Sequence, residues 1–259
     1  MSFFRRILAF ILFFVIAAVY ILRLKNRDLI LASSTPITIG VPALIGKWLL
    51  RIPMVFEVRD MWPDIPIELG YIKNPIIIKL LQWFEMLLYQ QSTRIIALSS
   101  GMKNEIIAKG LKSDKITVIT NASDIEEFSK VPTCDPLNRF RQTEMTKVCI
   151  YAGTFGVVNN LQYIINLADK LREIESDIHF VLIGAGAERS MLENSIVKNQ
   201  LEDRIHLLKP VSKSELIAYI QSADACISTV KNTSALFNNS ANKFFDSLAA
   251  GKPIIINYG

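Results

Sequence analysis

Three stretches of this 259-residue chain hold side chains whose types and spacing can do chemistry. In Glu57-Val58-Arg59-Asp60-Met61-Trp62-Pro63, an apolar run ends on two opposite charges beside an aromatic. An open parallel sheet presents its ligand groups at such strand ends, and Pro63 stops the strand from continuing. Arg59 and Asp60 read either as ligand-facing groups or as a surface ion pair in a loop. Gly184-Ala185-Gly186-Ala187-Glu188-Arg189 follows another apolar run. Glycines let a backbone approach a ligand, and a helix N-terminus attracts phosphate. Arg189 stands where a dinucleotide fingerprint needs a third small residue, which disfavours a nicotinamide enzyme and keeps a plain tight turn as the alternative.

The third stretch, Asn239 to Pro253, reads as a helix capped by Asn239 or Ser240 and stopped by Gly251. Asn242 and Asp246, four residues apart, share a face, while Phe245, Leu248 and Ala249 turn toward a sheet. If the helix start points at a ligand, Lys243 and backbone N–H groups can hold a diphosphate and Asp246 can accept ribose hydroxyls. The alternative is an amphipathic helix whose polar face meets water. His179 and His206 have no Cys or carboxylate at ligand spacing and read as structural, and Trp48 and Trp83 fall on apolar helix faces and read as core.

Strands are expected at 29–33, 54–58, 94–98 and 116–120, and again at 148–153, 179–184, 205–208, 225–229 and 253–257. Helical patterns lie near 38–50, 75–91, 101–109, 160–174, 187–197, 213–222 and 241–250. This alternation predicts an α/β fold of two Rossmann-like parallel-sheet domains facing across a cleft. Pro132, Pro136 and Asn138 mark a linker, so the expected division is 1–27 (apolar helix), 28–130, 131–146 (linker) and 147–259.

Charge and cysteine content narrow the partners. Six basic side chains against Asp28 alone in residues 1–50 account for the whole net charge of +5. They flank an apolar run, Ile7 to Leu22, which suits an anionic lipid surface better than nucleic acid. The run is short for a membrane span and no small-residue cleavage site follows it. Arg5, Arg6, Arg23, Lys25 and Arg27 are the residues expected to meet headgroups. Cys134, Cys149 and Cys226 have neither metal spacing nor even pairing, which argues against a disulfide scaffold or zinc module and fits a reducing compartment.

In order along the chain, Phe56–Pro63, Ala97–Met102, Val118–Asp124, Tyr151–Thr154, Leu182–Glu188 and Asp246–Pro253 resemble the motifs of family-four glycosyltransferases of the GT-B fold, over nearly all of residues 28–259. The resemblance implies a retaining transferase moving a sugar from a nucleotide diphosphate donor, with UDP as the expected nucleotide, to a lipid-linked (polyprenyl-diphosphate) acceptor in O-antigen, lipopolysaccharide or capsule synthesis. It implies Asp60 and Arg59 as catalytic groups, and Thr154, Gly184, Gly186, Glu188, Val211, Asn242, Lys243 and Asp246 as the nucleotide-sugar site, with no metal or further cofactor. The implied location is the cytoplasmic face of the bacterial inner membrane, held peripherally or by a single helix. Thr154 and Asn159 stand where the family often has Arg and Lys, Asn238 and Asp246 where it has two glutamates, and Arg59 where many members have His. Beside the family pattern the chain also looks truncated at both ends. A nucleotide-sugar 2-epimerase and a non-catalytic remnant are the competing expectations.

Overall fold

The computed structural model describes residues 3–23, 26–130, 132 and 134–258, with side chains at residue 9 and from residue 12 onward. The headgroup roles expected of Arg5, Arg6 and Lys25 therefore lie outside the described residues. The chain folds as two units, Met1–Thr120 with Thr233–Ser240, and Asn121–Asn232 with Ala241–Gly259.

The first unit runs α1 (Phe3–Arg23), β1 (Ile30–Ser33), α2 (Gly40–Leu50), β2 (Met54–Val58), α3 (Asp64–Glu68), α4 (Pro75–Gln91), β3 (Arg94–Ala97), α5 (Ser100–Ala108) and β4 (Ile116–Val118). Its four strands are parallel in the order β1-β2-β3-β4. Met54, Phe56 and Val58 alternate into a core with Ile95, Leu88, Tyr89, Met102 and Ile106. Asn74 starts α4 by accepting from the Ile76 and Ile77 N–H groups, with Pro75 at the first helical position. Helix α2 touches both α1 and α4. Among the described residues no helix is long and apolar enough to cross a membrane.

Within this unit α4 buries Glu85, which pairs with Lys109 Nζ at 2.6 Å; the same Nζ reaches Asp64 at 2.7 Å. Residues 233–240, with α10 (Ser234–Phe237), return to the first unit. Glu68 of α3 accepts from the Ser234 hydroxyl at 2.6 Å and the Ala235 N–H at 3.0 Å, while Asn238 donates to Glu105 and accepts from Ser99 Oγ at 2.8 Å.

The second unit runs α6 (Ile125–Phe128), β5 (Lys147–Ala152), α7 (Gln162–Glu173), β6 (Ile178–Ile183), α8 (Arg189–Lys198), β7 (Ile205–Leu208), α9 (Lys213–Ser222), β8 (Ala225–Ser228), α11 (Asn242–Ala249) and β9 (Ile254–Ile256). Its parallel strands are ordered β7-β6-β5-β8-β9. β5 and β6 are buried on both faces, as a helix-covered parallel sheet requires. Tyr151, Phe180 and Leu182 face one core with Ile164, Ile165 and Leu192; Val148, Ile150 and Val181 face another with Ile217 and Ile220. Chain order reverses between β5 and β8, where such sheets open a ligand crevice.

The stretch 131–146, expected as a linker, packs on the second unit in its described residues. Leu137 is fully buried, and Arg141 pairs with Asp224 at 2.7 Å. Trp48 and Trp83, expected in the core, are exposed, because the buried face of α2 is supplied by Ala43, Leu44 and Gly46 and that of α4 by Glu85, Leu88 and Tyr89 instead.

Candidate functional site

In the second unit, two adjoining hollows of about 320 and 310 Å³ share Ala152, Gly153, Thr154 and Leu216. They lie where β5, β6 and β7 end, and the second is closed by the start of α11. Thr154, Gly184 and Val211 line the first hollow; Thr154, Asn242, Lys243 and Asp246 line the second. The expected donor residues are thus brought together, apart from Gly186 and Glu188, which are outside both linings.

The two glycines serve the scaffold first. A Cβ on Gly184 would come within 1.9 Å of Gly153 O, and one on Gly186 within 2.1 Å of Phe155 O. Only glycine lets the loops after β5 and β6 run this close, joined by Phe155 N–H to Ala185 O at 2.9 Å and Glu188 N–H to Phe155 O at 3.0 Å. Arg189 closes the arrangement by donating to the carbonyls of Gly184, Leu207 and Leu208.

Lys243 dominates the electrostatics. Its Nζ lies 3.2 Å from Tyr151 Oη, 3.2 Å from Asn159 Oδ1 and 4.3 Å from the Tyr151 ring centre. Among the described residues no carboxylate comes within ion-pair distance of it, and burial pulls its pKa down to about 8. Burial also raises the Tyr151 phenol, which stays protonated and donates to Thr154 O at 2.9 Å; Asn159 donates to the same oxygen. The cap residue of α11 is Ala241, which has no side-chain cap, and not the Asn239 or Ser240 expected from sequence. An uncapped helix start and a buried, acid-free ammonium together favour an anion.

Asp246 is engaged already. Its Oδ1 accepts from Ser123 Oγ at 2.5 Å and Lys213 Nζ at 3.2 Å. Of the α11 residues expected to face the sheet, Leu248 is exposed, and Ser247 is the buried one, its hydroxyl donating to Lys243 O. His179 and His206 lie outside both hollows, their rings 6.0 Å apart, with His206 stacked on Phe140 at 4.6 Å.

In the first unit, Arg59 and Asp60 stand at the end of β2 but do not pair with each other. Asp60 Oδ2 accepts from Thr35 Oγ1 at 2.7 Å, and Arg59 leans toward Glu57 at 4.0 Å. Ser33 donates to Glu57, and Ser34 Oγ accepts from the Arg59 N–H at 3.1 Å. Sequence reasoning passes over Ser33-Ser34-Thr35, although the same strand-end rule applied to β1 points to it. Among the described residues no three of His, Cys, Asp and Glu cluster to hold a metal.

Two parallel-sheet α/β units with a hollow at the switch point form the architecture of the GT-B glycosyltransferases. Two family models match in succession, Glycosyltransferase Family 4 over residues 2–127 and Glycosyl transferases group 1 over residues 137–258. The chain belongs to the family-four glycosyltransferases. WbjE of Pseudomonas aeruginosa, assigned as a glycosyltransferase, is 24% identical over 238 residues, covering 90% of this chain and 58% of that protein. WcaI of Escherichia coli (strain K12), assigned as a colanic acid biosynthesis glycosyl transferase, is 26% identical over 145 residues, covering 54% of this chain and 35% of that one. The chain thus spans between about a third and three-fifths of these relatives. Among solved structures, HepE of Anabaena in complex with UDP-glucose superposes with a TM-score of 0.73 at 17% identity, over 94% of this chain and 63% of that one.

Proposed function

We propose that the chain serves a retaining transfer of a sugar from a UDP-linked donor to a lipid-linked acceptor in surface-polysaccharide synthesis. The observation that carries this reading is Lys243: a buried ammonium with no acid partner, beside the uncapped start of α11, lining a hollow at the switch point. Departure of a nucleoside diphosphate concentrates negative charge on its phosphates, and fixed cations and N–H dipoles stabilise that charge as it develops. Asn242 at the same helix start and the Gly153–Thr154 turn complete the cradle, and Asp246 with Lys213 orients the ribose. Arg59 and Asp60, the latter held by Thr35, take part at the acceptor end. The complexes of HepE with UDP-glucose and with UDP support the donor class.

The membrane reading rests on α1. Its exposed Leu12, Phe13, Ile16, Val19 and Tyr20 offer apolar side chains to a bilayer surface, with Arg23 and Arg27 beside them, and we place the chain peripherally on the cytoplasmic face of the inner membrane. An epimerase would need acid and base groups in the donor hollow, where Asp246 is the one carboxylate lining it among the described residues.

Calorimetry of the chain with UDP, followed by transfer from radiolabelled UDP-sugars into extracted lipid, tests the proposal. Saturable UDP binding that Lys243→Met weakens, together with lipid-soluble label, is the expected result. Absence of UDP binding overturns the donor reading; a new free nucleotide sugar without acceptor points to the epimerase, and binding without turnover to a non-catalytic chain.

A further inference from the structure

Helix α4 is apolar on two sides: Leu88 and Tyr89 enter the core, while a second set of apolar side chains faces away from it. Ile76, Leu80 and Trp83, spaced i, i+4 and i+7, form one stripe along the helix, and Ile76 is 77% and Trp83 59% exposed. At the end of α2, Trp48 (53% exposed) and Leu49 face solvent as well. Trp48 Nε1 donates to Gln91 Oε1 at 3.1 Å, so the α2 tryptophan and the α4 helix share one surface.

The exposed charges carried by α2 and α4 themselves have a single sign. The only acidic residue of α2 and α4 is Glu85, which is buried and paired with Lys109. Lys47 and Lys79 lie on the two helices, and Arg51 and Lys73 flank them. Lys47, Trp48, Arg51, Ile52, Pro53 and Thr93 line a depression of about 420 Å³ that contains two cations and no acid. Nearby, Lys115 donates to Gln90 O at 2.7 Å, and its pKa is lowered first by burial and then by Lys47, as expected where positive charges meet without an acid between them. Apolar stripes edged by tryptophan and basic groups suit the boundary between headgroups and acyl chains. A protein partner would have to bring its own acidic rim, whereas an anionic bilayer supplies headgroup charge and acyl surface together.

We propose that the α2–α4 face seats on an anionic lipid bilayer, with Trp48, Leu80 and Trp83 at headgroup depth and Lys47 and Arg51 around a lipid phosphate. The proposal deepens the membrane reading made for α1, but it assigns different residues and fails separately.

The chain has three tryptophans, of which Trp62 lies outside this face, so emission reports it directly. The full chain is floated with vesicles of phosphatidylglycerol and phosphatidylcholine carrying brominated acyl chains. Emission should be quenched, and Trp48→Phe with Trp83→Phe should remove most of the quenching while flotation persists. Lys47→Gln with Arg51→Gln should weaken binding roughly 10–30-fold at low salt. Flotation without quenching of these two tryptophans overturns the proposal and leaves attachment to α1 alone. Equal quenching by pure phosphatidylcholine overturns its electrostatic half, and absence of flotation overturns both membrane readings.

Discussion

The ε-ammonium of Lys243 sits 4.3 Å from the centre of the Tyr151 ring and 3.2 Å from its hydroxyl, a cation held by a π face and neutral oxygens rather than by an acid. This arrangement tolerates the charge without satisfying it, which leaves the charge free to recruit an anionic ligand. Lys243→Met should weaken UDP binding about 10–100-fold, the range of one charge-assisted contact. With its pKa at about 8, the group loses its proton as pH rises through that value, so affinity should be full below it and fall above it. A bound diphosphate favours the ammonium, so binding near pH 8 should take up protons, seen by calorimetry in buffers of different ionisation enthalpy.

Gly186→Ala tests the loop crossing. The new Cβ would meet Phe155 O at 2.1 Å, and a backbone oxygen cannot rotate away. The variant should lose about 2–3 kcal/mol, at the upper end of overpacking costs, in urea unfolding. Unchanged stability would mean that the loops separate freely.

Glu85 and Lys109 test the buried pair of the first unit. Lys109→Met strands a carboxylate that is 2% exposed and should cost about 3–5 kcal/mol. Adding Glu85→Gln should recover part of that loss, because no charge is then left behind. Burial is the largest effect on Glu85 and raises its pKa, so the deficit of the single variant should grow as pH rises through the raised value.

His206 supplies an acid limb to stability. Burial, then His179, lowers its pKa, with Arg139 acting in the same direction and Asp203 against it. The unfolded chain therefore binds the proton more readily, and stability present above the ordinary 6.5 is lost as pH falls through the lowered value. His206→Phe keeps a ring beside Phe140 and should flatten the dependence of urea midpoint on pH in that window.

The nine strands of the described residues lie within a residue or two of their expected positions, because parallel strands buried on both faces leave short β-branched runs between turn residues. Lys243, Asn242 and Asp246 were legible for a similar reason, since helical spacing puts them together. The partners that define their chemistry were not legible: Tyr151 under Lys243, Ser123 and Lys213 on Asp246, and Thr35 on Asp60 come from distant parts of the chain. Helices α3, α6 and α10, of four or five residues, also lack a periodic signal. Trp48 and Trp83 show the limit of composition. An apolar helix face says that something covers it, without saying whether that is the sheet.

The return of residues 233–240 to the first unit has a consequence for anyone building chimaeras to exchange donor specificity. A single junction after Thr120 divides the sequence into halves but neither unit of the fold, since the downstream half carries the Glu68 and Glu105 ligands of the other piece, Ser234, Ala235 and Asn238. A graft that respects the folded units needs three splice points, at 120/121, 232/233 and 240/241, so that the eight-residue insert stays with its recipient while α11 and Lys243 arrive with the donor half.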